Sequence, residues 1–253
     1  MATFAPSPID TADLSELVRS TAAFVKEQLQ SNDASHDWRH IERVWTLARA
    51  LALEEKLDAD AVEIVDLAAL LHDIDDWKYQ TGDVATKRAE TFLRSQNVSD
   101  AVVDRVMDII NHMGFKEELG GKQREITTEF GCVQDADRLD AIGAIGIARC
   151  FTYGGHKKRA LYDPEIPPTA EISQAQYMEK SRAAPTINHF YEKLLKLKGM
   201  MKTNAGTPHR RGASCLHGAV PRTVLQGDRR SWLSSIDRKD IVTPIESHFI
   251  FLL

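Results

Sequence analysis

Apolar residues recur at intervals of three and four along most of the chain, and the period-two alternation of half-buried strands is scarce before residue 204. The pattern predicts an all-α protein. Leu14, Leu17, Val18, Phe24, Val25 and Leu29 form one stripe on a helix over 13–29. Trp38, Ile41, Val44, Trp45, Ala48, Leu51 and Ala52 form a second over 37–55, with His40 in its first turn. Residues 59–72 are apolar nearly all round, as expected of a helix running into the centre of a bundle and ending at His72-Asp73. Further helices are expected over 86–95, over 100–112 with Ser99 as N-cap, over 128–139, and over 141–151. Gly143 and Gly146 suggest a break or a close approach in the last of these.

Loops are expected over 75–85, over 114–124 and from Thr152 to Pro164. A charged amphipathic stretch over 175–199 follows, kinked or divided at Pro185. From Asn204 the periodicity ends, and Gly, Pro and paired arginines are scattered up to an apolar terminus, Phe249 to Leu253. We therefore divide the chain into a helical bundle over 1–203 and an irregular, poorly packed tail over 204–253. No repeat argues for a solenoid.

Composition narrows the class. At 253 residues, with 43% hydrophobic and 27% charged residues, the chain suits one well-filled soluble domain. No apolar run approaches the roughly 18 residues needed to span a bilayer, and no signal-peptide pattern opens the chain, so no membrane association is expected. Cys132, Cys150 and Cys215 form neither a disulfide framework nor a metal knuckle, which fits a reducing, cytoplasmic setting. The net charge of −5 is unevenly spread: residues 1–203 stand near −8 and the tail near +3. So acidic a body disfavours a nucleic-acid polymer as partner but accommodates a small anion held through a cation. A homodimer is compatible with the sequence.

Candidate chemistry lies in His40, the His72-Asp73 pair and the run Asp135-Ala-Asp-Arg-Leu-Asp140. Imidazole nitrogen with carboxylate oxygen suits a divalent first-row metal. His72-Asp73 ends an apolar helix, where such groups are costly to bury unless paired or metal-bound. Asp135, Asp137 and Asp140 crowd three carboxylates into six residues and need shared positive charge. Asp137 and Asp140, three apart, share a helix face, and Arg138 or another cation is expected to hold whichever acid is not a ligand.

A rival reading starts from His36-Asp-Trp-Arg-His40, which resembles the His-Glu-x-x-His zinc motif of metallopeptidases. It departs from that motif in Asp37, a short acid where the glutamate base belongs, and a capping or turn role for Ser35 to Asp37 is the more economical account. His112, at the end of its helix, is a candidate extra ligand for a two-metal site, or a partner of the helix dipole. Arg43, Lys157 and Arg159 are candidates to meet phosphate oxygens.

These segments, in this order, resemble the HD-domain superfamily of metal-dependent phosphohydrolases. His40-Ile-Glu-Arg-Val matches the first histidine, Leu-Leu-His72-Asp73-Ile the doublet, and Ala-Asp137-Arg-Leu the final aspartate. Tyr-Gly-Gly followed by Arg-x-Leu-Tyr-Asp-Pro is similar to the small HD hydrolases, some of which resemble nucleotide pyrophosphohydrolases. The resemblance implies a helical bundle holding Mn, Mg or another transition ion through His40, His72, Asp73 and Asp137. Asp73 would bridge to a second ion if one binds. It further implies that Asp76 orients the attacking water and that metal-activated water attacks phosphorus in a small phosphorylated substrate, a nucleotide being favoured; Lys78, close by, is a candidate to bind phosphate. Two other classes stay open: the peptidase, and a metal-binding or regulatory protein without turnover. The charged helix over 175–199 would be expected to run on beyond Met201, and here it does not.

Overall fold

A computed structural model describes residues 9–30, 32–75, 87–121, 124–179, 182 and 184–207, and among these there is no strand. Its helices are α1 (Glu16–Gln28), α2 (Trp38–Glu54), α3 (Ala59–Leu71), α4 (Arg88–Ser95), α5 (Asp100–His112), α6 (Phe115–Leu119), α7 (Thr128–Ala141), α8 (Ala144–His156), α9 (Gln174–Met178) and α10 (Leu195–Leu197). A π-helical turn, Phe190–Leu194, runs directly into α10. No described helix is long and apolar enough to cross a membrane.

The helices begin where side chains take over amide groups left without partners. Ser15 accepts from the amide of Val18, Asp37 from His40, Asp58 from Ala61 and Thr127 from Phe130. Ser99 occupies the expected cap position of α5 without a side-chain hydrogen bond.

Helix α3 is the hub. It packs against α1, α2, α5 and α7, which is why its apolar residues are not confined to one stripe. Leu67, Leu70, Leu71, Ala68 and Val65 are fully buried, and Ile41, Val44 and Leu51 of α2 and Phe130 and Val133 of α7 close around them. One buried carboxylate inside this core is paired across two helices. Asp66 of α3 accepts from the indole of Trp45 at 2.8 Å and from Arg49, both on α2.

Several boundaries moved. Helix α8 continues to His156, so the connection expected from Thr152 starts at Lys157. Gly143, with φ 136°, makes the break between α7 and α8. The expected 114–124 loop contains α6. The stretch over 175–199 is divided by Pro185, leaving a short α9 on one side and the π-turn with α10 on the other. Thr186, just past the proline, rests on Gly154 of α8 so closely that a Cβ there would lie 2.1 Å from its hydroxyl.

Chain packing continues past residue 203. The carboxylate of Asp135 accepts from the amides of Lys202 and Thr203 at 2.9 and 2.8 Å and from the Thr203 hydroxyl at 2.8 Å. The Ala205 amide donates to Glu55 at 2.7 Å. Residues 200–207 thus strap α7 to the end of α2, and the tail beyond 207 lies outside the described residues.

Leu70→Ala empties a fully buried position and is expected to cost about 2–5 kcal/mol, read as a lower urea midpoint with unchanged slope. Asp66 supplies a pH signature. Burial, only partly offset by Arg49 and Trp45, pushes its carboxyl up to about 6 from an ordinary 3.8. A raised folded pKa gives a contribution fully present below the unfolded value and lost as pH rises through the folded one. The wild type should therefore lose stability relative to Asp66→Asn between about pH 4 and 6, and parallel profiles for the two proteins would contradict this.

Candidate metal centre

Three helices deliver the site. His40 comes from the first turn of α2, His72 and Asp73 from the end of α3, and Asp137 from the penultimate turn of α7. His40 Nε2 lies 3.3 Å from Asp73 Oδ2 and 3.6 Å from Asp137 Oδ1. His72 Nε2 lies 3.5 Å from Asp73 Oδ1 and 4.0 Å from Asp137 Oδ1. Among the described residues, His40, His72 and Asp73 form the one tight group of metal-type donors. Asp137 stands at its open side, with its side chain one-third exposed.

The tautomers are set from behind. His72 Nδ1 donates to the carbonyl of Ala69 at 2.8 Å, which leaves Nε2 with a lone pair, buried and without a hydrogen-bond partner among the described residues. His40 Nδ1 meets Asp140 Oδ2 at 2.9 Å, so its Nε2 also faces inward. Lone pairs of nitrogen and carboxylate oxygen therefore face one another across 3.3–4.0 Å. Bonds of about 2.0–2.2 Å to a first-row ion put neighbouring ligand atoms about 3–3.5 Å apart, so the donor set fits a divalent metal.

Electrostatics agree with that fit. Burial raises the Asp73 carboxyl, but His72, His40 and His36 outweigh it and hold Asp73 well below the usual carboxylate range. Burial and Arg149 lower the His40 imidazole, yet bonding to Asp140 and Asp73 leaves its pKa above the ordinary value. The carboxylates thus favour positive charge beside His40, which a divalent ion would also supply.

Asp140 is the group that sequence reasoning left open. Its carboxylate accepts from Arg43 Nε at 2.6 Å, from the Arg43 terminal nitrogen at 3.1 Å and from Arg149 at 2.7 Å, besides contacting His40. Arg138, a candidate for that pairing, points elsewhere: it donates to the carbonyl of Met200 at 2.6 Å and pairs with Glu118 at 2.8 Å.

The donors open into a cavity of about 180 Å³ that extends toward Tyr153, Tyr177 and the π-turn. Its lining includes Arg149, Arg159, Arg182 and Lys193. Arg149 is committed to Asp140 and to the carbonyl of Ser35, and Arg182 to Glu192. Arg159 and Lys193 have no carboxylate partner among the described residues. Arg159 lies 5.6 Å over the Tyr153 ring and Lys193 5.8 Å over that of Phe115. Lys193 was not singled out from the sequence; only the π-turn brings it round to the cavity.

Other candidates fall as follows. Lys157 lies 5.4 Å over Tyr153. His112 is exposed and turns back to Asp108, 2.8 Å from its carbonyl, as a helix-end partner. His36 borders the cavity with Nδ1 2.8 Å from the Ser35 hydroxyl, and Asp37 serves as the α2 cap. Asp76 and Lys78 lie outside the described residues.

The HD domain family model matches residues 37–142, which span all four donors. YpgQ of Bacillus subtilis is 37% identical over 182 residues, covering 72% of this chain and 78% of that protein. The chain belongs to the HD-domain superfamily. A Lactobacillus plantarum structure superposes with a TM-score of 0.76 at 31% identity, over 87% of this chain and 99% of that one. An HD-superfamily hydrolase from Bacillus thuringiensis gives 0.58 at 36% identity, over 87% and 98%. The structure of YpgQ in complex with ADP gives 0.62 at 27% identity, over 85% and 96%. Membership, with the His/Asp cluster in place, makes this HD domain a metal-dependent hydrolase in type.

A divalent ion that binds only the folded state at about a hundred times its Kd should add about 2.7 kcal/mol to the unfolding free energy. A thermal melt with and without Mn reads this directly. His72→Ala should remove most of the shift, and an undiminished shift in that variant would count against His72 as a ligand.

Proposed function

We propose that the protein is a metal-dependent phosphohydrolase acting on small phosphorylated metabolites, with a nucleotide as the favoured substrate. The observation that carries this is the inward convergence of lone pairs from His40, His72, Asp73 and Asp137 at the inner end of a cavity that also presents cations. In this reading the four residues hold the ion. A bound divalent ion supplies charge that polarises a phosphoryl oxygen and makes water more acidic.

The chain's own groups do the rest. Asp73, held as a carboxylate, keeps its charge through the working pH range. Arg159 and Lys193 offset negative charge on the phosphoryl oxygens, for which neither has to surrender a carboxylate partner among the described residues. Lys157 stands beside Arg159 at the same tyrosine as a further phosphate contact. Asp76 and Lys78 follow the doublet closely in sequence and are assigned to orienting the attacking water and to binding phosphate. Water forms the new bond to phosphorus while the bond to the leaving oxygen breaks. The ADP bound by YpgQ supports a nucleotide rather than a sugar phosphate.

The peptidase reading finds no support here, because the acid that would serve as base caps α2. Nucleoside mono-, di- and triphosphates assayed with Mn, Mg, Co and Ni should show ion-dependent turnover, and Asp73→Ala should reduce it to background. Full activity in metal-free, folded protein would sink the assignment. No turnover across the panel, with metal still bound, would instead favour a regulatory metal-binding role.

A further inference from the structure

We infer that Asp140, clamped by Arg43 and Arg149, is a positioning residue that sets the metal affinity of the centre through His40, and that Arg43 belongs to this clamp. The inference rests on the proposed metal site.

Three observations carry it. First, Asp140 is nearly fully buried, with 6% of its side chain exposed, so its charge must be matched within the protein. Second, it is matched by three side chains from two helices. Arg43 of α2 brings two nitrogens, Arg149 of α8 brings one, and His40 of α2 brings Nδ1, all within 2.6–3.1 Å. The two carboxylate oxygens divide the work: Oδ1 takes Arg43 Nε, while Oδ2 takes His40, the second Arg43 nitrogen and Arg149. Third, Arg149 also donates Nε to the carbonyl of Ser35 at 2.7 Å, which ties α8 to the turn that opens α2. The carboxylate is therefore held in place independently of the imidazole that it orients.

The chemical consequence follows from the imidazole. A carboxylate behind one ring nitrogen fixes the tautomer, restrains rotation of the ring and makes the opposite nitrogen a better donor. His72 has only a neutral carbonyl, that of Ala69, in the same place. The two histidines thus differ in what stands behind them, and His40 is the one backed by a charge. Two guanidinium groups on a single carboxylate moderate that effect, because they draw electron density from Oδ2 and prevent Asp140 from taking the His40 proton outright. Arg43 spends two nitrogens on this fork, a commitment suited to positioning.

Metal binding, read by calorimetry with Mn on the full chain, separates this from the alternatives. Asp140→Asn keeps size but loses charge and presents an amide to the guanidinium donors. It should weaken Mn binding by about 10–100-fold, the usual effect of removing such a partner. Arg43→Gln, at a residue that among the described residues reaches the centre through Asp140, should weaken Mn binding several-fold and leave KM for the phosphorylated substrate unchanged once Mn is saturating; Arg43→Lys should recover part of the loss. Unchanged Mn affinity in folded Asp140→Asn would overturn the inference. So would an Arg43→Gln variant with wild-type Mn affinity and a raised KM, since that pattern belongs to a substrate contact. If Asp140→Asn fails to fold, the Arg43 pair decides alone. Failure of the wild type itself to bind Mn would overturn the metal reading beneath, a result distinguishable from all of these.

Discussion

The lone pair on His72 Nε2 organises this molecule. It is buried, has no hydrogen-bond partner among the described residues, and faces carboxylate oxygens that are themselves acceptors. An unmatched arrangement of this kind is costly in a low-dielectric interior, and only a proton or a cation between the groups relieves it. The rest of the structure is arranged to keep that arrangement from relaxing. Ala69 holds the tautomer of His72, Asp140 holds that of His40, and the apolar bodies of α2, α3 and α7 leave the three helix segments no freedom to separate.

Helix geometry then distributes the charges. Along α7 each residue turns the chain by about 100°, so Asp135 points nearly opposite to Asp137 and Asp140, which are neighbours. The three carboxylates that look crowded in sequence therefore never compete. Asp135 fastens residues 202–203 on one side of the helix, Asp137 faces the histidines, and Asp140 stands behind His40. Arg138, between them in sequence, goes with neither and ties Glu118 and Met200 to the same helix. A single helix thus links the C-terminal strap, the metal-type donors and their supporting ion pairs.

Much of this was legible in the chain. The three-four spacing located α1, α2, α5 and α7, because a helix buried on one face must repeat its apolar residues at that interval. The unbroken apolar run of α3 marked it as central, and His72-Asp73 at its end stood out because such groups rarely occur there without a partner. Residue 137 was singled out among three acids by resemblance, since local spacing alone left the choice open. Less was legible near Pro185. The proline signalled a division, but the π-turn that carries Lys193 to the cavity depends on how Phe190 and Leu194 pack, and no local propensity encodes that.

The sequence by itself determined the class, the core helices and the conspicuous His72-Asp73 pair, because each depends on short-range spacing and on the cost of burying particular groups. Tertiary structure alone decided the pairings: which acid faces the histidines, which arginine neutralises which carboxylate, and which cations remain available to a substrate. Arg43 and Asp140 are 97 residues apart and meet at 2.6 Å. Such a contact is set by the crossing of α2 with α7, where Coulomb attraction is strong only over a few ångströms, and separation along the chain says nothing about that distance.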